Sequence, residues 1–332
     1  MRPDDNDSPF SDVNFVPMFG RLSLENILTL FGAMLCERRI LLISAKLSRI
    51  SAAAHAAAAL LYPFRWQHVF IPVLPVDMLH LTTAPMPFMM GVHTSRVALL
   101  AQMPLEEVMV IDLDANTVQD WAGGPPTELS GPSRELLPLL QNMAASPLMK
   151  FGTVDPVALH TAVSTTFRGF ALALFGRYRL FVTTDEAGRA EFDDAGFKAS
   201  LGAETSAARQ FFETTFCESQ LFDVFIEDRK QHAEAGFPHK GVFEREVAEL
   251  MGNIEMFGDG VGERPPWSSA ALELSQAFRQ EFGMDHRDAG RPADAGGAVA
   301  GGSAGGGGGG WGRGSVMRSP AKLLSGISKR VW

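Results

Sequence analysis

The chain has 332 residues, 46% hydrophobic and 20% charged, which suits about two globular domains with real cores. Its net charge of −9 argues against the broadly basic surface of a nucleic-acid binder, and two cysteines, Cys36 and Cys217, exclude a disulfide-built secreted fold and fit a reducing cytosol. The start, MRPDDNDSPF, is too acidic for a signal peptide, and the most apolar run, Ala52 to Tyr62, is broken by His55 and closed by Pro63, short of the roughly 20 residues a membrane-spanning helix needs.

Residues 1–20 read as a flexible lead-in. Ser23 then caps a helix from Leu24 to about Cys36, with Leu24, Ile27, Leu28, Phe31 and Leu35 on one face. Ile40 to Ser44 is a short apolar strand of the kind buried in a parallel sheet. Ser48 or Ser51 opens a second helix, Ala52 to Leu61, so small and apolar that it is packed on all sides. Prolines follow at 63, 72, 75, 85 and 87, each fixing one dihedral and removing one donor. That stretch therefore runs as short extended pieces and tight corners, with Tyr62, Phe64, Trp66, Phe70 and Phe88 in the core. Glu107 to Leu113 is another buried strand, 114–117 a turn, 120–132 a loop, and Ser133 to Ala144 a helix kinked at Pro138. Alternating strands and helices predict an α/β layered unit over 21–150.

The character changes after 150. Asp155 caps and Pro156 begins a helix through Phe175. Residues 192–197 (FDDAGF) read as a loop, and Ala207–Phe216 and Ser219–Lys230 as two more helices. Strand signals largely vanish, which predicts an all-helical unit over 151–257. A partly ordered extension (258–284) and a Gly-rich linker (285–314, with Gly305 to Gly310 unbroken) follow. The tail, 315–332, is basic. Residues 313–332 carry Arg313, Arg318, Lys322, Lys329 and Arg330 with no acid, which leaves −14 on the remainder. Within it Ser319 caps a short helix; Leu323, Leu324, Ile327 and Val331 share a face, and Lys322 and Lys329 lie opposite.

No hydrolase, phosphate-loop or metal motif is present in the sequence, so no catalytic residue, metal or cofactor is implied. His68 and His93 lack the converging ligands a metal needs and read as structural or interface side chains. Asp112 and Asp114 lie on one face near a strand's C-terminal end, where open α/β sheets bind ligands. They read either as a polar rim facing a partner or as turn caps for Asn116 and Thr117. Glu37-Arg38-Arg39 reads as a salt bridge and helix C-cap.

The order of several motifs carries a resemblance. They are Glu37-Arg38-Arg39-Ile40-Leu41-Leu42-Ile43-Ser44, Leu61-Tyr62-Pro63-Phe64, Trp66-Gln67-His68, Phe70-Ile71-Pro72-Val73-Leu74-Pro75, Ala84-Pro85-Met86-Pro87-Phe88 and Gly91-Val92-His93. Together they closely resemble the central part of DENN domains, most of all the connecdenn type, exchange factors for Rab small GTPases. A weaker likeness continues to about Met256 through Phe175-Gly176-Arg177-Tyr178-Arg179, Gln220-Leu221-Phe222 and Phe243-Glu244-Arg245-Glu246. The resemblance implies a three-layer central unit with a mostly parallel sheet, then the helical downstream unit. It makes Glu37, Arg39, Tyr62, Pro63, Trp66, His68, Pro72, Pro75, Pro85, Pro87 and Gly91 scaffold residues. By position within the matched motifs it puts His93, Thr94, Ser95, Arg96, Asp112, Asp114 and Asn116 at the GTPase interface.

The implied activity is accelerated GDP release without covalent chemistry or a cofactor. The implied setting is the cytoplasmic side of endosomal or clathrin-coated vesicle membranes, in endocytic vesicle trafficking. Family members begin with a longin-like domain. Only about twenty residues precede the central part here, so the chain reads as a fragment, a truncated gene model or a protein that pairs with a separate longin subunit, and a non-catalytic scaffold for a GTPase or a longin partner is the alternative function. The basic tail reads either as a solvated tail or as a weak contact for an anionic membrane.

Overall fold

The computed structural model describes residues 13–121, 136–138, 140–141, 155–201, 207–237 and 241–257. The expected extension, linker and tail lie outside these, as does most of the Ser133–Ala144 helix. Its described residues, 136–138 and 140–141, are helical, and Leu136 and Leu140 are fully buried.

A five-stranded sheet organises the first unit. Its strands are β1 (Arg39–Ser44), β2 (Val69–Ile71), β3 (Phe88–His93), β4 (Val108–Asp112) and β5 (Thr117–Asp120), in the order β2-β3-β1-β4-β5. The first four are parallel and β5 runs antiparallel to β4. Alternation along β1 explains its all-apolar sequence. Ile40 and Leu42 face the main core, while Leu41 and Ile43 face two smaller clusters on the other side.

Helices cover one face: α1 (Val16–Phe19), α2 (Leu24–Leu35) and α3 (Leu47–Leu60). The flexible lead-in is corrected from residue 13 onward, because Phe15 and Met18 are buried in the main core. Ser23 caps α2 by accepting from Asn26 N at 3.3 Å. Helix α3 begins well before Ala52. Ser44 Oγ accepts from Lys46 N at 3.1 Å, so the chain turns directly out of β1 into the helix without a serine cap. The buried Ala53, Ala54, Ala56 and Ala57 let α3 lie close on the sheet. Contact is tightest at Gly91, where a Cβ would stand 2.0 Å from the Pro72 carbonyl oxygen and 2.2 Å from Ile50 Cγ2. The other face has a thin cover: a 3₁₀ helix over Val76–Thr83, the single turn α4 (Val97–Leu100), and Trp121.

The downstream unit contains α5 (Pro156–Phe175), α6 (Asp194–Leu201), α7 (Ala207–Thr214), α8 (Gln220–Glu234) and α9 (Val242–Phe257). Asp155 caps α5 through Val157 N and Ala158 N, and Ser219 caps α8 through Phe222 N. The stretch Pro156–Phe181 has the length and hydropathy of a membrane span, but Leu159, Val163, Phe167 and Phe170 belong to the protein core. Two expectations are corrected. The unit is not all-helical: β6 (Val182–Thr184) and β7 (Ala190–Phe192) form an antiparallel ribbon. Its turn is held by Asp185 Oδ1, which accepts from Ala187 N and Arg189 N, and by Gly188 at φ 79°. Residues 192–197 are not a loop either: Asp193 Oδ1 accepts from Gly196 N, and α6 starts at once.

The two units share one hydrophobic cluster. Phe64, from the proline-rich segment, has ring centroids 5.1, 4.8 and 5.0 Å from those of Phe175, Phe216 and Phe225. Edge-to-face packing of this kind adds about 0.5–1.5 kcal/mol per pair beyond area burial.

Candidate partner-binding surface

The C-terminal ends of β1, β3 and β4 form one edge of the sheet, and a polar network fixes it. Asp114 accepts from Ser44 Oγ at 2.9 Å and from Ala45 N at 2.6 Å, and pairs with Arg49. Burial would raise its carboxyl, but the bonds from Ala45 and Ser44 and the charge of Arg49 outweigh this and hold it below the ordinary value. Asp112 is buried, and its Oδ1 accepts from Asp114 N at 2.8 Å and Ala115 N at 2.9 Å. Asn116, at φ 53°, reaches across to α2: its Oδ1 accepts from Ser23 N and from Asn26 Nδ2, each at 2.8 Å. His93 Nδ1 accepts from Ser95 N at 3.2 Å, which makes Nε2 the donor to the Ala45 carbonyl at 3.0 Å.

Four of the seven interface residues read from the sequence therefore hydrogen-bond to other parts of the chain, Asp112 buried, His93 half-buried, and Asp114 and Asn116 exposed. Asp112 acts as the turn cap; Asp114, Asn116 and His93 tie loops together. Of the other three, Thr94 is half-buried, Ser95 is exposed with its Oγ 2.8 Å from His93 Nδ1, and Arg96 is exposed. The His93–Ala45 bond sets them beside Lys46 and Leu47. Leu47 is 50% exposed, and Leu99, one turn beyond Arg96, is 40% exposed. Lys46 and Arg96 form no ion pair among the described residues. The edge thus presents two free cations and two bare leucines on a locked backbone. Neither leucine was singled out in the sequence; for Leu47 the available signal was an apolar residue at the first position of a helix.

Of the scaffold residues, Glu37, His68 and Tyr62 gather at the joint between the units. Glu37, at φ 51° beyond the end of α2, accepts from Gln220 N at 3.2 Å and Leu221 N at 2.9 Å and meets His68 Nε2 at 3.0 Å. It caps a different helix from the one it follows. Arg39 pairs with Glu107 at 3.3 Å, and Arg38 with Asp120 at 3.5 Å. Tyr62 OH accepts from Phe243 N at 3.1 Å, and Trp66 Nε1 donates to the Val69 carbonyl at 3.3 Å. Phe64 and Pro63 are buried, whereas Tyr62, Trp66 and Phe70 are half-buried against the core. Pro72 and Pro87 are half-buried, and Pro75 and Pro85 lie at the surface.

A second polar cluster was not legible as such. Glu244 is fully buried, accepts from Tyr178 OH at 2.8 Å, and pairs with Arg179 and with Arg229 Nη1 at 3.4 Å. Burial, reinforced by the Glu244 charge, pushes the Tyr178 hydroxyl well above its ordinary value. Among the described residues no three His, Cys, Asp or Glu side chains are placed to hold a metal.

Comparison with known proteins bears on this arrangement. A family model described as the DENN (AEX-3) domain matches residues 1–116. DENN domain-containing protein 2B of Mus musculus is 32% identical over 249 residues, 74% of this chain and 21% of its own. DENN domain-containing protein 2A of Homo sapiens is 32% identical over 253 residues (74% and 24%), and protein 1B of Homo sapiens 35% identical over 234 (70% and 28%). The chain thus spans 21% to 28% of the length of these curated relatives. Identities of 32% to the 2A and 2B proteins and 35% to 1B do not single out the connecdenn type.

Proposed function

Starting from a chain that is a DENN domain protein, we propose that it serves as a guanine-nucleotide exchange factor for a Rab small GTPase, or as the exchange module of a longer protein. The observation that supports this reading is the locked sheet edge with Lys46, Leu47, Arg96 and Leu99 outward. A GTPase holds GDP through ordered switch segments and Mg²⁺. A partner that binds the nucleotide-free form more tightly must, by linkage, weaken GDP binding by the same factor. That work needs a surface which does not yield, apolar groups for the switch segments, and a few charges to hold them apart.

The hydrogen bonds of Asp112, Asp114, Asn116 and His93 supply the stiffness, since an edge that relaxed on contact would not transmit strain to the switch. Leu47 and Leu99 supply apolar contact, and Ser95, Thr94 and Arg96 the polar contact. A longin-type unit, in the same polypeptide or in a separate one, would complete the surface. The reaction would take place at endosomal or clathrin-coated vesicle membranes during endocytic trafficking, with the basic tail as an auxiliary contact to anionic lipid.

The test is release of fluorescent GDP from a Rab panel at micromolar chain, with and without a longin segment added in trans. Accelerated release from some Rab is expected. Stable association without any rate change would instead mark a non-catalytic scaffold for a GTPase or a longin partner. No effect across the panel under either condition would remove the exchange reading.

A further inference from the structure

The charge that the sheet edge turns outward is opposite in sign to that of the chain. The whole chain carries −9. At the C-terminal ends of β1, β3 and β4, the cations Lys46, Arg49 and Arg96 stand against the carboxylates Asp112 and Asp114. Both carboxylates are occupied. Asp114 pairs with Arg49 and accepts from Ser44 Oγ and Ala45 N, while Asp112 is buried and turned onto Asp114 N and Ala115 N. Arg49 is drawn in with its partner, only 13% of its side chain being exposed. Beside Asn116, Arg21 and Glu25 are both exposed and offset each other.

Lys46 and Arg96 remain as the outward charge. Both are exposed, and neither forms an ion pair among the described residues. Each has a bare leucine on its own segment, Leu47 next to Lys46 and Leu99 one turn beyond Arg96. The bond from His93 Nε2 to the Ala45 carbonyl, 3.0 Å long, joins the two turns that carry them. The edge therefore repeats one unit twice, a cation with an apolar neighbour, on a hydrogen-bonded base.

Such an edge selects by charge. An acidic partner is repelled by the chain as a whole, but the Debye length is only about 10 Å at 0.1 M salt, so remote charge is screened and the local cations act. Complementary charge raises the rate of encounter and penalises partners with the wrong sign. An anionic membrane is the weaker fit, because a nearby basic residue contributes only about 1 kcal/mol there and the edge has two.

We infer that the segment of the GTPase received by this edge is acidic and aliphatic, with carboxylates meeting Lys46 and Arg96 and apolar side chains meeting Leu47 and Leu99. Association is then steered by attraction at the edge, against the chain's own negative charge. This inference rests on the reading of the edge as the GTPase contact, and it names the chemistry the partner must carry there.

The test is the association rate of the full chain with each nucleotide-free Rab that it binds, followed from about 50 to 500 mM salt. The rate should fall at least about fivefold over that range. The charge reversal K46E/R96E should slow association at least about tenfold at low salt and abolish or invert the slope, with its unfolding midpoint unmoved. K46Q/R96Q should fall between. K230E/R245E makes the same charge change on the downstream unit and should stay within about twofold of the parent chain. A parent rate that is indifferent to salt or rises with it overturns the inference, as does equal slowing by K230E/R245E. So does K46E/R96E losing affinity for phosphatidylserine vesicles while its Rab association is unchanged, which would make the edge a membrane contact. Accelerated GDP release without the salt slope sinks this inference and leaves the exchange reading standing. The salt slope without acceleration does the reverse, and a panel with no bound Rab removes both.

Discussion

The carboxylate of Glu37 caps a helix whose first turn lies 184 positions later, at Leu221. It satisfies two donors of α8 that would otherwise be orphaned, and adds a negative charge at the positive end of the helix dipole. Glu37→Ala should therefore cost about 1–2 kcal/mol, and Glu37→Gln less, because an acceptor remains. Urea midpoints of the two variants give the measurement. Equal midpoints for Glu37→Ala and the parent chain would show that the cap contributes nothing.

Gly91→Ala should be among the most damaging single changes in the sheet. The added methyl meets a carbonyl oxygen at 2.0 Å, and neither Pro72 nor Ile50 can retreat without moving β3 or α3. The cost should exceed the 1–3 kcal/mol or so that is common for overpacking. Gly188→Ala is the comparison: nothing lies within 4 Å, so only its φ of 79° is penalised, at about 1–2 kcal/mol. Thermal midpoints falling in the opposite order would contradict this packing.

Glu244 and Tyr178 should behave unequally. Replacing Glu244 by Gln leaves Arg179 and the buried Arg229 facing a neutral group, a loss of about 3–5 kcal/mol. Tyr178→Phe removes one hydrogen bond to a charged acceptor, about 1.5–3 kcal/mol. Chemical unfolding of both variants decides it; Glu244→Gln proving the milder change would refute the clamp.

The two thiols give a pH window. Burial raises Cys36 from 9.0 to about 11 and Cys217 to about 12. Above pH 9 the unfolded chain loses these protons while the folded chain keeps them, so the unfolded state binds fewer protons and stability falls as pH rises from 9 toward 11. Below that window the thiols are neutral in both states and contribute no slope. Native thiols should also react with a disulfide reagent at pH 8 at least about a hundredfold more slowly than in urea. Fast native labelling of Cys217 would mean that it is not buried.

Arg96→Ala and Leu47→Ser should slow GDP release from the responsive Rab by tenfold or more with unfolding midpoints unmoved, since both side chains are exposed. Unchanged release rates in both would take this edge out of the GTPase contact.

Local signals were readable in the sequence wherever the physics is local. The caps Ser23, Asp155 and Ser219 each act within three residues, and β1 and β4 announce themselves as apolar runs because both their faces are covered. Strand β5 was missed because an edge strand with half-exposed Gln119 and Asp120 carries no such run. The ribbon β6–β7 has only three residues per strand, too few for a period to show. The roles of Glu37 and Glu244 depend on partners far away in sequence, and no window along the chain contains both. The candidate edge was half legible: the polar residues were named, but the hydrogen bonds that occupy four of them within the chain, and the exposed leucines nearby, belong to the tertiary structure.

Phe64 lies in the first unit, yet three of its aromatic neighbours lie beyond residue 150. A scissile site engineered near that position would yield halves that each carry an open wound of benzyl rings. Neither half inherits a closed interior, so the pair should melt in a single transition and a severed product should clump. Heredity can lengthen this protein at its ends more easily than it can divide it in the middle.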